Sequence, residues 1–149
     1  MRDVFVRDLG TTHYPEIFLK MRDYSRARDM NSNDEIWITE HNAVFTLGQA
    51  ANKEHLIAPG SIPVYQSDRG GQVTYHGPGQ LTVYFLVDIK RLSISVRQLV
   101  DRIESVMIGC VANYDIEAER LSGAPGVYVD NKKIGSLGLR VTRGKSYHG

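Results

Sequence analysis

Arg69-Gly-Gly-Gln-Val-Thr-Tyr-His-Gly-Pro-Gly-Gln80 runs without a break into Leu81-Thr-Val-Tyr-Phe-Leu-Val-Asp-Ile89. The second stretch is apolar enough to read as a central β-strand. The first places Gly70, Gly71, Gly77 and Gly79 close together, giving a backbone that other groups can approach. Arg69 adds a fixed positive charge and His76 a titratable imidazole, while Thr74 and Tyr75 add hydroxyls and Pro78 stiffens the exit. A loop of this kind at a strand end can hold a ligand, with exposed N–H groups facing a carbonyl or a phosphate. Composition alone leaves a second reading open, a tight surface connection whose glycines serve only turns. The stretch has neither the Gly-Lys-Ser/Thr of a Walker A loop nor a convincing G-x-G-x-x-G fingerprint, so nucleotide binding is weakly supported.

Outward from this point the chain alternates short strands with two helices. Val4 and Val6 suggest a strand ending at Gly10, after which Thr11 and Thr12 offer helix N-caps. Tyr14, Ile17, Phe18, Met21 and Tyr24 then form one apolar helical face that ends near Asp29. Residues 35–39 read as a strand with Ile36 and Ile38 on one face, and residues 44–47 as another, closed by Gly48. Residues 49–62 lack periodicity and read as a loop, and 63–66 as a short strand. A helix is predicted over 96–113, with the stripe Val96, Leu99, Val100, Ile103, Met107, Cys110 and Val111. Residues 126–129 and 133–141 bracket Asp130-Asn131-Lys132, the pattern of a β-hairpin. Hairpins mixed with helical crossovers favour an α+β fold, a mixed β-sheet with flanking helices.

Composition narrows the possibilities further. A chain of 149 residues with 42% hydrophobic side chains fits a single domain, 1–149. The formal net charge of +1 gives no global reason for nucleic acid or an anionic membrane as partner. One cysteine excludes an internal disulfide and a cysteine-based zinc site, and points to a reducing, cytoplasmic compartment. No apolar run approaches the roughly 20 residues of a membrane span. Residues 1–7 alternate like a strand, without a signal-peptide core. The five histidines show no His-x-x-x-His spacing, so no metal is expected.

The twelve residues from Arg69 to Gln80 resemble the signature of the lipoyl(octanoyl) transferases. The resemblance extends along the chain. Asp34-Glu35-Ile36-Trp37 with Glu40-His41, and Phe45-Thr46-Leu47-Gly48-Gln49-Ala50, are similar to the family's N-terminal strands. Ala124 to Val129, Lys132 to Arg140 and Ser146-Tyr147-His148-Gly149 are similar to its later blocks, in order. The resemblance implies the fold of the biotin and lipoate protein ligase catalytic domains. It also implies transfer of an octanoyl group from octanoyl-acyl carrier protein to a lysine of lipoyl domains, through a cysteine thioester, without a cofactor. The implied acceptors are the lipoyl domains of 2-oxoacid dehydrogenase complexes and the glycine cleavage H protein.

By the same resemblance Lys133 lowers the pKa of the cysteine nucleophile. Arg69, Gly70, Gly71, Gln72, Val73, Thr74, Tyr75 and His76, then Ser136, Leu137 and Gly138, and finally Gly149, correspond to the acyl-substrate site. A lysine in an apolar hairpin strand is expensive to bury without a partner, which independently suits Lys133 to a role; the other reading of the residue, next to Lys132, is a solvated turn lysine. The family's nucleophile lies in a Pro-Cys-Gly loop after the equivalent of His148-Gly149, and no Pro-Cys-Gly occurs in residues 1–149. The expectation is a catalytic domain lacking the family's C-terminal part, inactive by itself. Cys110, on the helix stripe, reads as a buried structural cysteine rather than a substitute. His76 is followed by Gly77 where the related ligases typically have Asp, which favours a transferase. An ATP-dependent lipoate or biotin ligase and a non-catalytic acyl-binding remnant stay open. Arg140, Arg143 and Lys145, with Arg91 and Arg97, are candidates for a basic face toward an acidic carrier protein, or ordinary solvated charges.

Overall fold

The computed structural model describes residues 3–149; Met1 and Arg2, part of the first strand-like stretch, lie outside the described residues. The chain folds as two compact units, one formed by the chain up to Asp88 with Gly138–Gly149, the other by Ile89–Leu137.

In the first unit, β1 (Val4–Thr12) pairs in parallel with β2 (Asp34–His41). A register shift between Asp8 and Thr11 carries β1 past Gly10, whose φ of +61° suits glycine. Thr11 and Thr12 are therefore strand residues and not helix caps. α1 (Tyr14–Ala27) starts after His13, which makes no side-chain capping bond, and has proline in its first turn. Tyr14, Ile17 and Met21 are buried as the spacing predicts, Met21 at 0% exposure.

β2 is the middle strand of this sheet, flanked by β1 and by β6 (Thr82–Leu86), which runs antiparallel to it. The strand expected to be central thus ends this ladder, yet it has neighbours on both sides, since its other side is lined by the last strand of the unit. That strand, β11 (Lys145–His148), forms a hairpin with β10 (Leu139–Thr142). It reaches the extension of β6 through Ser146 N–H, which donates to the Val87 carbonyl at 2.8 Å. Ile17, Met21, Trp37, Tyr84, Leu86 and Tyr147 form the core, with Leu9 and Tyr24 packed against it. On β2 the fully buried face carries Glu35, Trp37, Thr39 and His41, whereas Ile36 and Ile38 are only half-buried. The polar members are satisfied across the strands: Arg7 donates to both oxygens of Glu35 at 2.6 Å, and Trp37 Nε1 also donates to Glu35.

A second sheet in the same unit has β3 (Val44–Leu47) between β4 (Val64–Gln66), parallel, and β5 (Val73–His76), antiparallel. A third of the glycine-rich stretch, Val73–His76, is therefore strand. Its loop is confined to residues 69–72, and a turn over 77–80 follows.

In the second unit, α2 (Val96–Ala112) opens on a reciprocal capping box between Ser95 and Gln98. It buries Leu99, Ile103 and Glu104, and packs on β8 (Ala124–Val129). β8 lies between β7 (Glu119–Leu121) and β9 (Lys132–Gly135). Asp130 and Asn131, at φ +48° and +62°, form the expected tight turn. The second hairpin strand does not continue to residue 141: β9 stops at Gly135, and residues 136–138 separate it from β10. Cys110 is exposed, correcting its expected burial, because the packed face of α2 lies on the earlier turns. The result is an α+β fold with mixed sheets, as the sequence indicates.

Candidate functional site

The loop 69–72 is built around Arg69. The residue is 7% exposed, and its guanidinium bonds to carbonyl oxygens and one hydroxyl. Nη2 donates to Thr46 O (2.8 Å), Thr46 Oγ1 (2.7 Å) and Gln72 O (2.9 Å), Nε to Thr46 Oγ1 (3.1 Å) and Nη1 to Gly70 O (2.8 Å). Arg69 therefore clamps its own loop onto β3 instead of presenting a free charge. The backbone adds Gln49 N–H to Arg69 O (2.9 Å), Ala50 N–H to Gly71 O (3.2 Å) and Gly48 N–H to Gln72 O (3.3 Å). Gly48 lies so close that a Cβ there would fall 2.2 Å from Gly71 O.

Two further predicted segments converge on this loop. Gly70 N–H donates to Leu139 O at 3.0 Å and Gly138 N–H to Gly149 O at 2.5 Å. A Cβ on Gly138 would stand 3.1 Å from Arg69 Cδ and 3.2 Å from Gly70 O. Gly70, Gly71, Gly138 and Gly149 thus bring bare backbone segments together, and a Cβ on Gly149 would fall 1.7 Å from Val83 O on β6.

The same unit holds a cluster of aromatic rings that contains three imidazoles. Tyr14 meets His41 at 5.5 Å and His76 at 6.2 Å, His41 meets His76 at 5.7 Å, and Tyr84 meets His41 at 5.8 Å and His148 at 6.3 Å. His41 shares a 2.6 Å hydrogen bond with the Tyr84 hydroxyl through Nε2 and a 3.0 Å bond with Thr12 Oγ1 through Nδ1. His148 donates from Nε2 to Asp68 at 2.8 Å, and the Tyr147 hydroxyl donates to the other Asp68 oxygen at 2.5 Å. Burial pushes all three imidazoles below the usual histidine range, His76 to about 4. Burial would raise the Asp68 carboxyl, but the bonds from His148 and Tyr147 outweigh it and hold it low. The His148–Asp68 contact at neutral pH is accordingly a neutral N–H donated to a carboxylate. His76 Nδ1 is bonded to Gln80 Oε1 at 2.6 Å. As a neutral ring with Nδ1–H engaged, it offers Nε2 as an acceptor only, and cannot donate to an acyl carbonyl. Val73 to His76 stand on β5, where Thr74 pairs with Thr46 and Tyr75 with Phe45.

In the second unit, Lys133 is exposed and not buried, so desolvation gives its role no support. Its Nζ donates to Pro125 O at 2.8 Å and stands 5.2 Å from the centre of the Tyr128 ring. Ser136 and Leu137 follow β9 in this unit, exposed and half-buried respectively. Of the basic-face candidates, Lys145 is tied to the Arg28 carbonyl and Arg140 donates to Gln49 Oε1 at 2.7 Å. Tyr14, Thr46, Asp68 and Tyr84 escaped the sequence reading as site residues. The period-two set Glu35, Trp37, Thr39 and His41 was the available signal, since a polar face on a strand demands partners. Among the described residues no group of three or more His, Cys, Asp or Glu side chains is arranged to hold a metal ion, and no helix is long and apolar enough to cross a membrane.

Comparison with known proteins gives this geometry a context. Residues 17–149 match the lipoyl protein ligase A/B catalytic domain model. The chain is 55% identical over 143 residues to an octanoyltransferase of Pseudomonas putida (strain GB-1), covering 96% of this chain and 66% of the relative. It is 58% identical over 144 residues to one of Shewanella halifaxensis (strain HAW-EB4), covering 97% and 66%. The chain thus spans about two thirds of the length of these curated relatives. Among solved structures, a bi-partite lipoate protein ligase from Thermoplasma acidophilum superposes with a TM-score of 0.74 at 14% identity, covering 99% of this chain and 60% of that one. A lipoate-protein ligase A bound with ATP superposes with a TM-score of 0.68 at 12% identity, covering 97% and 64%. At such identities these two establish the fold alone.

Proposed function

The chain belongs to the lipoyl protein ligase A/B catalytic domain family, and from that membership we propose that it is the larger part of an octanoyltransferase. In this reading an octanoyl group leaves the thioester of an acyl carrier protein for a protein thiolate, and then passes to the lysine amine of a lipoyl domain. The acceptors are the lipoyl domains of 2-oxoacid dehydrogenase complexes and the glycine cleavage H protein, and the reaction belongs to the cytoplasm. The first exchange breaks the donor C–S bond and forms a new thioester. The second forms an amide and releases the thiolate, the amine giving up its proton.

The observation that carries this reading is the convergence of Gly70, Gly138 and Gly149 around the Arg69 clamp. A bare backbone in the unit that also holds the aromatic cluster suits a narrow acyl chain. Arg69 supports the loop, while Gly70 to His76 and Ser136 to Gly138 border the substrate. Lys133 supplies a positive charge that favours a neighbouring thiolate. The thiol itself is not assigned to Cys110 and comes from outside residues 1–149. Gly77 favours transferase over ligase: a Cβ there would lie 2.2 Å from the Tyr75 hydroxyl, so the Asp of a ligase would require that ring to move.

The test is to supply the protein from the full reading frame with octanoyl-acyl carrier protein and an unmodified lipoyl domain, without ATP, and to weigh the acceptor. Octanoylated acceptor is the expected product, and residues 1–149 alone should leave the acceptor unmodified. Modification that requires ATP and free fatty acid would make the protein a ligase; binding of octanoyl compounds with neither transfer would make it an acyl-binding remnant.

A further inference from the structure

Helix α2 is buried through Leu99, Ile103 and Glu104, so a carboxylate sits on its packed face. Taking a carboxylate out of water costs heavily unless donors replace the solvent. Glu104 is 5% exposed, and both of its oxygens have donors. Oε1 accepts from Gly126 N–H at 2.8 Å and Oε2 from Arg120 Nε at 3.0 Å. Arg120 is fixed in turn by the Asp101 carbonyl at 2.7 Å and the Ser105 hydroxyl at 2.5 Å.

The N–H that reaches Glu104 belongs to the peptide group between Pro125 and Gly126. The carbonyl of the same group, Pro125 O, accepts from Lys133 Nζ at 2.8 Å. No peptide bond among the described residues is cis, so this N–H and this C=O point in opposite directions. One rigid plane therefore joins a buried carboxylate to the ammonium of Lys133. Donation to a carboxylate also polarises the amide and makes its carbonyl a stronger acceptor. Gly126 allows the approach: its φ is +130°, and a Cβ there would lie 2.6 Å from Gly135 O and 3.0 Å from Lys133 Cε.

We infer that Glu104 is a positioning residue for Lys133, acting through the Pro125–Gly126 peptide. The carboxylate orients the peptide plane, and the plane sets where the lysine ammonium stands. The functional weight of this arrangement rests on the role proposed for Lys133 above, but the positioning is measurable without any acyl transfer.

Competitive labelling of lysines in the folded 149-residue chain, with trace acetic anhydride across a pH series and quantified by peptide mass spectrometry, reads it directly. Lys132 is the neighbouring reference. Glu104→Gln, which keeps an acceptor and removes the charge, should raise Lys133 labelling relative to Lys132 by roughly threefold or more and move its pH profile to lower pH. Arg120→Lys, at a half-exposed position, should move the ratio in the same direction by less. An unchanged ratio and profile in the folded Glu104→Gln chain would overturn the inference; should that variant not fold, an unchanged ratio in Arg120→Lys would do so. A shifted profile with no octanoyl transfer by the full-frame protein keeps the positioning and removes the proposed function. Intact transfer with an unshifted profile does the reverse.

Discussion

Arg69 shows how a residue type can be read correctly and its job misassigned. Its place in a glycine-rich stretch suggests a cation waiting for a ligand. In the folded chain the guanidinium is buried among oxygens of Thr46, Gly70 and Gln72, a geometry that a planar, five-donor group satisfies and an ammonium does not. Arg69→Lys should therefore destabilise the first unit by about 1–3 kcal/mol, since buried carbonyls lose their donors. Urea denaturation followed by circular dichroism measures this, and an unchanged midpoint would show that the clamp is dispensable. Lys133 carries the opposite lesson. Its neighbours, the Pro125 carbonyl and the Tyr128 ring, lie on the paired strand β8, and a strand pattern does not say which partners a side chain meets across the hairpin.

At the scale of elements, local signals are the legible ones. The apolar face of α1 at Tyr14, Ile17 and Met21, the Asp130-Asn131 turn and the strand of residues 44–47 follow from spacing and turn chemistry, and the chain forms them. Pairings were not legible. Nothing in residues 82–86 says that β2 will pair along one side and that β11 will line the other. The face of β2 was also obscured, because Ile36 and Ile38 outweigh Thr39 and His41 in hydropathy although the latter pair is buried deeper. Cys110 extends the helical stripe of α2 by period alone and is exposed, whereas Met107, one turn earlier, is half-buried near Gly135 of β9. The strand–helix packing that buries His41 and His148 and half-buries His76 has a measurable consequence. Each has a folded-state pKa below the ordinary histidine value of 6.5. The folded chain therefore binds fewer protons than the unfolded one in weak acid, and its stability is full above about pH 7 and lost as pH falls. The decline should begin near 6.5 and continue toward about 4, the value for His76. Thermal melts across that range should show a midpoint falling by several degrees, and a flat midpoint would contradict neutral, buried imidazoles.

For the molecule as a whole, residues distant in sequence matter together. Residues 69–72 lie against Leu139 and Gly138 in the same unit, and Gly138 against Gly149, so the three blocks that the sequence marked singly meet. The resemblance names the acyl ligand, and the meeting of these blocks in one unit supports it. The first unit holds the glycine residues and the aromatic cluster, and within the second Lys133 is tied to Glu104 through a single peptide. An acyl carrier thioester as donor distinguishes this proposal from an adenylate-forming ligase built on the same fold. The most direct measurement is the intact mass of the full-frame protein after incubation with octanoyl-acyl carrier protein alone, with neither ATP nor acceptor present. A protein heavier by one octanoyl group, discharged when a lipoyl domain is added, is the predicted result; a protein of unchanged mass that becomes acylated only with ATP and free octanoate would contradict it.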